Sequence, residues 1–424
     1  MKYYIILIGS LMLLMAHTLN SQQTEQISLS DAITIARTKN PAILSAQKEI
    51  DAASGRILQA GRIPNPELSI ELSEFPTNLN ISDADEKNIG VTQLIEFPGK
   101  RRARITVAEL GKSIAEYFLA RTKSIVSSRV KRAYYQSLFA REVIMNLEFT
   151  ITLLADLLRT VTERYQAGAS TYLDVLRSKV ELTRLRNDLV EAKREQLTRL
   201  GDLNILLGRM SATPIMLTDS LMHQSMSMHE DSVVQFYVRT SNFLQIAESE
   251  AQRNQSLFAL ANTSYLPDFS LGFSLQNRAE QPPFNENNFN GITTRSFGLQ
   301  FGISVPLWFW QGPRGEVQEA EALLDISKVR ISSARLQVQQ NILSAFRSTS
   351  VAQEQLRSFD TSLLQDAHDA LWAGINAYQN NQIDVLNLFD IYRTYRATKI
   401  EYARALFNLL TAQAELEVAG ELAE

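Results

Sequence analysis

Cysteine is absent from the chain, and its absence excludes several classes of protein. Without a thiol there is no disulfide, no catalytic thiolate, no cysteine ligand for a metal ion and no lipid anchor on an N-terminal cysteine. The charge is nearly balanced, because 42 basic residues face 46 acidic ones and leave a formal net charge of -4. Such a balance gives no general basic surface, so we predict no nucleic-acid partner.

Residues suited to catalysis are scarce. The whole chain has 4 histidines, and His368 stands alone in a segment with helical periodicity. The carboxylates are spread along helix faces and the glycines form no phosphate-binding loop, so no catalytic constellation can be assembled. We predict that the protein is not an enzyme, and that it has no cofactor and no resident metal ion.

Long apolar runs are missing except at the N-terminus. Residues 5–15 are mostly apolar, follow Lys2 and precede small and polar residues. The run is too short to cross a bilayer and has the layout of a secretory signal peptide, which predicts a signal over residues 1–21 and an exported chain. Because no other window approaches about eighteen apolar residues, any membrane segment would have to be built from strands.

Two pairs of segments alternate apolar and polar residues with the period of a β-strand. They predict one β-hairpin over about 66–97 and another over about 267–306. Each strand has about nine to eleven residues, the length that a tilted strand needs to cross a hydrocarbon core. The last strand shows the pattern most clearly, because one of its faces holds only Gly, Gln and Ser. Its other face consists of Phe297, Leu299, Phe301, Ile303 and Val305.

Helical segments with few breaks follow each hairpin. The first half predicts a long helix over about 100–165, a rod of roughly 90 Å, and a return helix over about 171–207. The second half predicts a long helix over about 314–379 and a return helix over about 383–420. The segment between the two halves, 209–231, is interpreted as a linker.

The duplication of residues 22–208 in residues 232–424 supplies only four strands in total. Four strands are too few to close a barrel, and open strand edges are not tolerated in lipid. Closure therefore requires other copies of the chain. A cyclic oligomer would have a shared barrel continued by a tube of helices, with a bore lined by Ser, Gly, Gln and Glu.

These features together resemble the TolC family of outer-membrane efflux ducts over essentially the whole mature sequence. The resemblance is carried by the duplicated plan, the Tyr165-x-x-Gly168 turn with Asp-Val-Leu after it, the matching turn over 378–386, and FPGKR at 97–101. The FPGKR sequence is most similar to the CzcC and CusC branch, which serves heavy-metal pumps of the resistance-nodulation-division (RND) class. When the two Asp-Val-Leu sequences are aligned, the second turn is three residues shorter than the first, because nine positions separate Tyr from Asp in one and six in the other.

The resemblance implies an α+β membrane protein with a TolC-like β-barrel of four strands per protomer and twelve in a homotrimer, continued by a long α-helical periplasmic barrel. It implies a channel in the cell outer membrane that passively conducts substrate delivered by an inner-membrane RND-type pump and a periplasmic adaptor (membrane fusion) protein. Heavy-metal cations, drugs and other exported compounds all stay open as substrates. The alternative is a secreted coiled-coil scaffold or adhesin, which would explain the helices but not four strands with apolar outer faces.

The resemblance also implies a gate at the periplasmic tip, where the two turns enter the return helices. Threefold symmetry would place each aspartate of the turns in a ring of like charges. Arg177 is the predicted partner of Asp174, because it lies one helical turn further on the same face. The alternative is that the aspartates only cap the return helices. The predicted gate residues are Tyr165, Gly168, Asp174, Arg177, Tyr378 and Asp384.

Two segments next to the strands predict contacts with the membrane surface. Lys100, Arg101 and Arg102 put positive charge at a helix N-terminus, which the helix dipole disfavours. We predict that outer-membrane lipid phosphates at the inner edge of the bilayer compensate these cations, with a solvated basic patch as the alternative. Trp308 and Trp310, with Phe309 between them, follow the fourth strand and predict an aromatic belt.

The linker contains most of the methionines that follow the signal peptide. Thioether and imidazole groups suit Cu(I) or Ag(I), but their spacing is irregular. We interpret the segment as a flexible collar that packs on the helical tube and is not needed for transport, with metal binding by residues 210–229 as the alternative. The residues concerned are Met210, Met216, Met222, Met226, Met228, His223 and His229.

Overall fold

The computed structural model of the chain describes residues 25–73, 86–222, 230–279, 293–308, 310–360 and 362–419. The predicted signal peptide over 1–21 lies outside these residues, and so do Phe309 and four members of the linker cluster. Those four are His223, Met226, Met228 and His229.

Helices account for most of the described chain. They are α1 Leu29–Lys39, α2 Pro41–Ala60, α3 Lys100–Gln166, α4 Tyr172–Leu206, α5 Glu230–Thr240, α6 Asn242–Asn262, α7 Gly312–Asp360, α8 Leu363–Gln379 and α9 Val385–Ala419. Within the described ranges, no helix combines the length and the hydropathy that a bilayer-spanning helix needs.

The structure divides the long helix predicted over about 314–379 into α7 and α8. Ser362, just before α8, has φ -167° and ψ -24°, which lies outside the helical region. Serine is a residue type that favours helix ends, because its short polar side chain offers the backbone an alternative to the helical ladder. The first long helix has no such interruption and runs unbroken for 67 residues.

Six strands form two sheets in the described residues. The strands are β1 Glu25–Ile27, β2 Glu67–Ser73, β3 Glu86–Ile95, β4 Ile215–Leu217, β5 Asp268–Ala279 and β6 Thr293–Ser304. β1 and β4 pair in parallel, whereas the other four form an antiparallel sheet in the order β2-β3-β5-β6. The segment interpreted as a linker over 209–231 therefore contains a strand, β4, which joins the start of the described chain.

The antiparallel sheet has one apolar and one small, polar face. In one cross-strand row Ile70 faces Ile89, which faces Leu275, which in turn faces Phe297. All four side chains are exposed, as are those of the next apolar row, Leu68, Val91, Phe273 and Leu299. The other face is so closely packed that a Cβ atom on Gly90 would lie 2.7 Å from the Ser69 hydroxyl. Side chains on each strand thus alternate between the two faces, as the period of two in the sequence predicts.

The described residues form two compact units. The antiparallel sheet belongs to the unit that contains the residues within 46–119 and 242–337. The other unit contains those within 25–45, 120–241 and 338–419, and its core is an apolar cluster on α3, α4, α8 and α9. The members that are least accessible to solvent are Leu154, Val161, Leu371 and Leu388.

A buried tyrosine holds the small parallel sheet in that second unit. The Tyr134 hydroxyl lies 3.0 Å from the Ile27 oxygen and 2.8 Å from Oδ2 of Asp219. Arg141 donates a 2.8 Å hydrogen bond to the Leu217 oxygen. α3 therefore fixes both β1 and the residues after β4.

Candidate functional site

Two connections of equal length join the long helices to the return helices. Residues 167–171 lie between α3 and α4, and residues 380–384 lie between α8 and α9, so each connection has five residues. The prediction that the second turn is three residues shorter than the first is therefore wrong. Asp174 is the third residue of α4, whereas Asp384 immediately precedes α9. The two Asp-Val-Leu sequences occupy different positions in their turns.

Both turns leave their helix by the same backbone geometry. Gly168 has φ +75° and Asn381 has φ +59°, so both are in the left-handed region. The Ala169 amide donates to the Arg164 oxygen at 2.8 Å. The equivalent bond in the second turn, from Gln382 to Ala377, is also 2.8 Å. Together these features form the Schellman end of a helix, which requires a residue that tolerates positive φ.

The two predicted gate tyrosines have different surroundings. Tyr165 is half-exposed, and its ring centroid lies 5.6 Å from that of Tyr172 in the same turn. Tyr378 is only 6% exposed and belongs to the apolar core beneath the turns. Burial raises the pKa of Tyr378, although the positive charge of Arg164 opposes the rise. One tyrosine therefore faces outward, and the other anchors its turn to the core.

Arg164 connects the two turns directly. Its Nη1 donates to the Tyr378 oxygen at 3.0 Å, and its Nη2 donates to the Gln379 oxygen at 2.6 Å. Nη1 also lies 2.9 Å from Oδ1 of Asn381. The guanidinium carbon is 4.7 Å from the centroid of the Tyr378 ring. These carbonyl groups lie at the end of α8, where helical partners are missing and the dipole is negative.

Arg164 is not among the gate residues predicted from sequence, although a basic residue in the last turn of a helix is a recognisable signal. In the second turn, Ala377 takes the equivalent place, one residue before its tyrosine. The connection between the turns is therefore one-sided, since the first turn supplies the cation and the second supplies the carbonyl groups.

The two aspartates form local capping bonds. Oδ2 of Asp174 accepts from the Thr171 amide at 3.2 Å, and the Asp174 amide donates to the Thr171 hydroxyl at 3.2 Å. Arg177 lies further away, with its Nη1 3.9 Å from Oδ1 of Asp174. In the second turn, Oδ1 of Asp384 accepts from the Asn387 amide at 2.8 Å. Both side chains thus satisfy amides at the start of a return helix, as N-terminal caps do.

The basic segment before the first long helix is partly neutralised inside the protein. Nζ of Lys100 donates to Oδ1 of Asp268 at 2.8 Å and to the Leu266 oxygen at 3.1 Å. Arg104 forms a two-bond ion pair with Glu96, in which Nη2 and Oε2 are 2.9 Å apart. The two remaining predicted interface cations, Arg101 and Arg102, have exposed side chains.

The predicted aromatic residues lie at the end of the fourth strand. Trp308 and Trp310 follow β6 and have exposed side chains. Among the described residues, no group of three or more His, Asp or Glu side chains is placed to hold a metal ion.

The antiparallel sheet, the long helices and the two turns that join them define the fold, which is that of the TolC-like outer-membrane channels. VceC, an outer membrane protein of Vibrio cholerae, superposes with a TM-score of 0.73 at 16% identity, over 93% of this chain and 96% of VceC. CusC superposes with a TM-score of 0.73 at 15% identity, over 92% of this chain and 91% of CusC. The crystal structures of CusC concern its folding and transmembrane channel formation. The predicted α+β, TolC-like fold is confirmed.

Sequence comparison finds a matching family for part of the chain. Residues 32–209 match the family Outer membrane efflux protein. The cobalt-zinc-cadmium resistance protein CzcC of Cupriavidus metallidurans is 23% identical over 380 residues, which are 90% of this chain and 86% of CzcC. The predicted resemblance to the TolC family and its CzcC and CusC branch is confirmed.

Proposed function

We propose that the protein is the outer-membrane duct of a tripartite efflux system, through which substrate passes without energy input from the duct itself. The observation that carries the proposal is the apolar face of the antiparallel sheet. On β6, Phe297 is 75% exposed and Phe301 is 80% exposed, and the apolar face continues across all four strands. Exposed apolar surface costs about 25 cal/mol per Å² in water, so contact with lipid stabilises this face.

The sheet also supports a homotrimer. Within the described residues, β2 and β6 each pair on one side only. In lipid, unpaired backbone groups cost several kcal/mol each, so both edges need partner strands. Three copies of a four-stranded sheet would close a barrel of twelve strands. We propose residues 22–208 and 232–424 as the duplicated halves, and the equal lengths of α1 and α5, 11 residues each, support a duplication.

The relatives support a metal substrate. CzcC is named for resistance to cobalt, zinc and cadmium, and it matches along nearly the whole chain. We propose that heavy-metal cations are among the compounds that an inner-membrane RND-type pump and a periplasmic adaptor pass to this duct.

We place the gate at the two turns. The proposed gate residues are Tyr165, Gly168, Asp174, Arg177, Tyr378 and Asp384, to which we add Arg164. The contacts of Arg164 with the end of α8 support a closed state in which the two turns are tied together. The capping bonds of the aspartates support a role in shaping each turn rather than in carrying the closing charge.

The proposal is tested by purification and by deletion. We expect the protein to need detergent for extraction, to form a trimer by native mass spectrometry and to conduct ions in planar bilayers. A strain without the gene should become sensitive to cobalt, zinc or cadmium in a panel that also contains detergents and antibiotics. A monomer purified from the periplasm without detergent would overturn the duct and leave a secreted coiled-coil scaffold or adhesin.

A further inference from the structure

The basic segment at the start of α3 divides into two pairs of cations with different surroundings. Lys100 and Arg104 are four residues apart, so they lie on one face of the helix. Both are neutralised within the protein, by Asp268 and Glu96. The Lys100 side chain is only 14% exposed, and the Arg104 guanidinium, at 32% exposed, already pairs with both carboxylate oxygens of Glu96, so the charge of this pair is compensated inside the protein.

Arg101 and Arg102 form the second pair. They project from other sides of the helix, their side chains are exposed, and neither forms an ion pair with any residue that the structure describes. Two adjacent cations in the first turn repel each other and the positive end of the helix dipole. An anion outside the protein would therefore be stabilised here.

The strand register shows which part of the sheet this pair adjoins. Ile95 faces Phe269, which faces Ile303, and this is the last row of the apolar face that is paired across the strands. Beyond the row, β3 leads to Arg101 and Arg102, and β6 leads to the exposed Trp308 and Trp310. Apolar side chains, then tryptophan and arginine, follow the order of hydrocarbon, interface and headgroup in a bilayer.

We propose that Arg101 and Arg102 bind the phosphate groups of anionic phospholipids at the edge of the bilayer, while Lys100 and Arg104 act only inside the protein. The inference rests on the proposed membrane location of the sheet. The charge of the exposed pair and its continuity with the apolar face identify the occupant as a lipid headgroup. Each basic side chain near an anionic membrane surface increases the affinity of a protein for that surface about fivefold. Arg101 and Arg102 together should therefore increase the affinity for anionic phospholipid about 30-fold.

The test measures lipid binding to the delipidated, detergent-purified protein by native mass spectrometry. Phosphatidylglycerol is the anionic probe, and phosphatidylcholine is the zwitterionic reference. We expect the wild-type protein to prefer phosphatidylglycerol and R101Q/R102Q to lose about 30-fold of that preference. R101Q and R102Q alone should each lose about fivefold, which keeps the test open if the double variant folds poorly.

Two control variants separate the specific effect from net charge and from folding. R184Q/R186Q removes two exposed arginines from α4, far along the chain from the sheet, and should keep the preference of the wild type. K100Q breaks the bond to Asp268, so it should unfold at a lower temperature with the preference intact. Equal loss in R184Q/R186Q, or full preference in R101Q/R102Q, would overturn the inference.

Conductance distinguishes this inference from the proposed function. A trimer that conducts in planar bilayers but shows no preference for phosphatidylglycerol would refute the lipid site and leave the duct intact. A soluble wild-type monomer would remove the duct itself. Binding of inorganic phosphate that competes with phosphatidylglycerol at equal concentration would identify a site for free anions rather than for lipid.

Discussion

Arg164 at the end of α3 donates a hydrogen bond of 3.0 Å to the main-chain oxygen of Tyr378 at the end of α8. The two residues are 214 positions apart in sequence. A second bond to the Gln379 oxygen uses another nitrogen of the same guanidinium group, so the contact depends on its forked shape. Because two of the acceptors are backbone atoms, the pairing depends on side chains of the second turn only through the Asn381 amide oxygen and the Tyr378 ring.

We expect R164M to open the gate. Hydrogen bonds from a charged group contribute about 1.5–3 kcal/mol, so the unfolding temperature should fall and single-channel conductance in planar bilayers should rise. R164K keeps the charge without the fork and should give an intermediate conductance. R159M is the matched control, because Arg159 is exposed on the same helix and its one ion pair with a described residue is that with Asp156. Equal conductance in R164M and R159M would contradict this role.

We expect D174A and D384A to act on stability rather than on conductance. Each substitution removes an acceptor at the start of a return helix, which costs about 1 kcal/mol. Thermal unfolding measures this loss, and planar bilayers measure the channel. D174N and D384N keep an acceptor oxygen and remove the charge, so they should recover much of the stability. Raised conductance in the Asn variants would instead assign the closing charge to the aspartates.

Local patterns in the sequence were sufficient for the four strands of the antiparallel sheet and for most helices. The alternation of residues on β6 defines one apolar face, and the register of the sheet is restricted once the apolar residues of all four strands share that face. Gly168 predicts the first turn, because glycine adopts positive φ without strain. Asn381 in the second turn was missed, although asparagine also tolerates this conformation, because the Asp-Val-Leu sequences suggested a different alignment.

The contacts that were missed join distant parts of the chain. The pairing of β1 with β4 involves three residues on each strand, which is too short to produce a periodic pattern. The position of Arg164 in α3 does not indicate its partner, because the end of α8 comes close to it only in the folded chain. The end of α7 depends on the backbone near Ser362, where short polar residues permit a break but do not require one.

We expect Y134F to loosen the small parallel sheet without changing the channel. The Tyr134 ring is completely buried, and its hydroxyl contacts both Ile27 and Asp219. Losing the hydroxyl removes these contacts, whereas the Leu29 amide still donates to Asp219 and the Thr218 amide still donates to the Ile27 oxygen. The expected cost is therefore that of an ordinary hydrogen bond, about 0.5–1.5 kcal/mol in the free energy of unfolding. Y265F is a suitable control, because Tyr265 is partly exposed. Unfolding temperatures that fall equally in both variants would argue against this bond.

Alkaline pH provides a further test at the same residue. Burial, together with the bond to Asp219, raises the pKa of Tyr134 far above its ordinary value. The unfolded chain therefore releases this proton first, and the stability contributed by the neutral phenol is lost as the pH rises above about 10. Y134F lacks this proton, so its unfolding temperature should fall less steeply between pH 9 and about 11 than that of the wild type. Parallel pH profiles would contradict the assignment.

The end of α4 provides a sharp test of close packing. Gly208 has φ +71°, and a Cβ atom there would press on the carbonyl oxygen of Lys39 and lie 2.9 Å from its carbonyl carbon. These are backbone atoms at the end of α1, which a bond of 2.7 Å from Asn40 to the Leu206 oxygen already holds close to α4. G208A should therefore lose about 1–3 kcal/mol of stability, because both the backbone conformation and the contact disfavour a side chain.

G111A is the matched control for G208A. Gly111 lies within α3, and a Cβ atom there would meet nothing within 4 Å. Alanine in a helix interior is favoured over glycine by about 1 kcal/mol, so G111A should unfold at the same temperature as the wild type or slightly above it. Thermal unfolding in one detergent compares the three proteins directly. If G208A were as stable as G111A, α1 would have to move away from α4, and the bond from Asn40 to Leu206 would not hold these helices together.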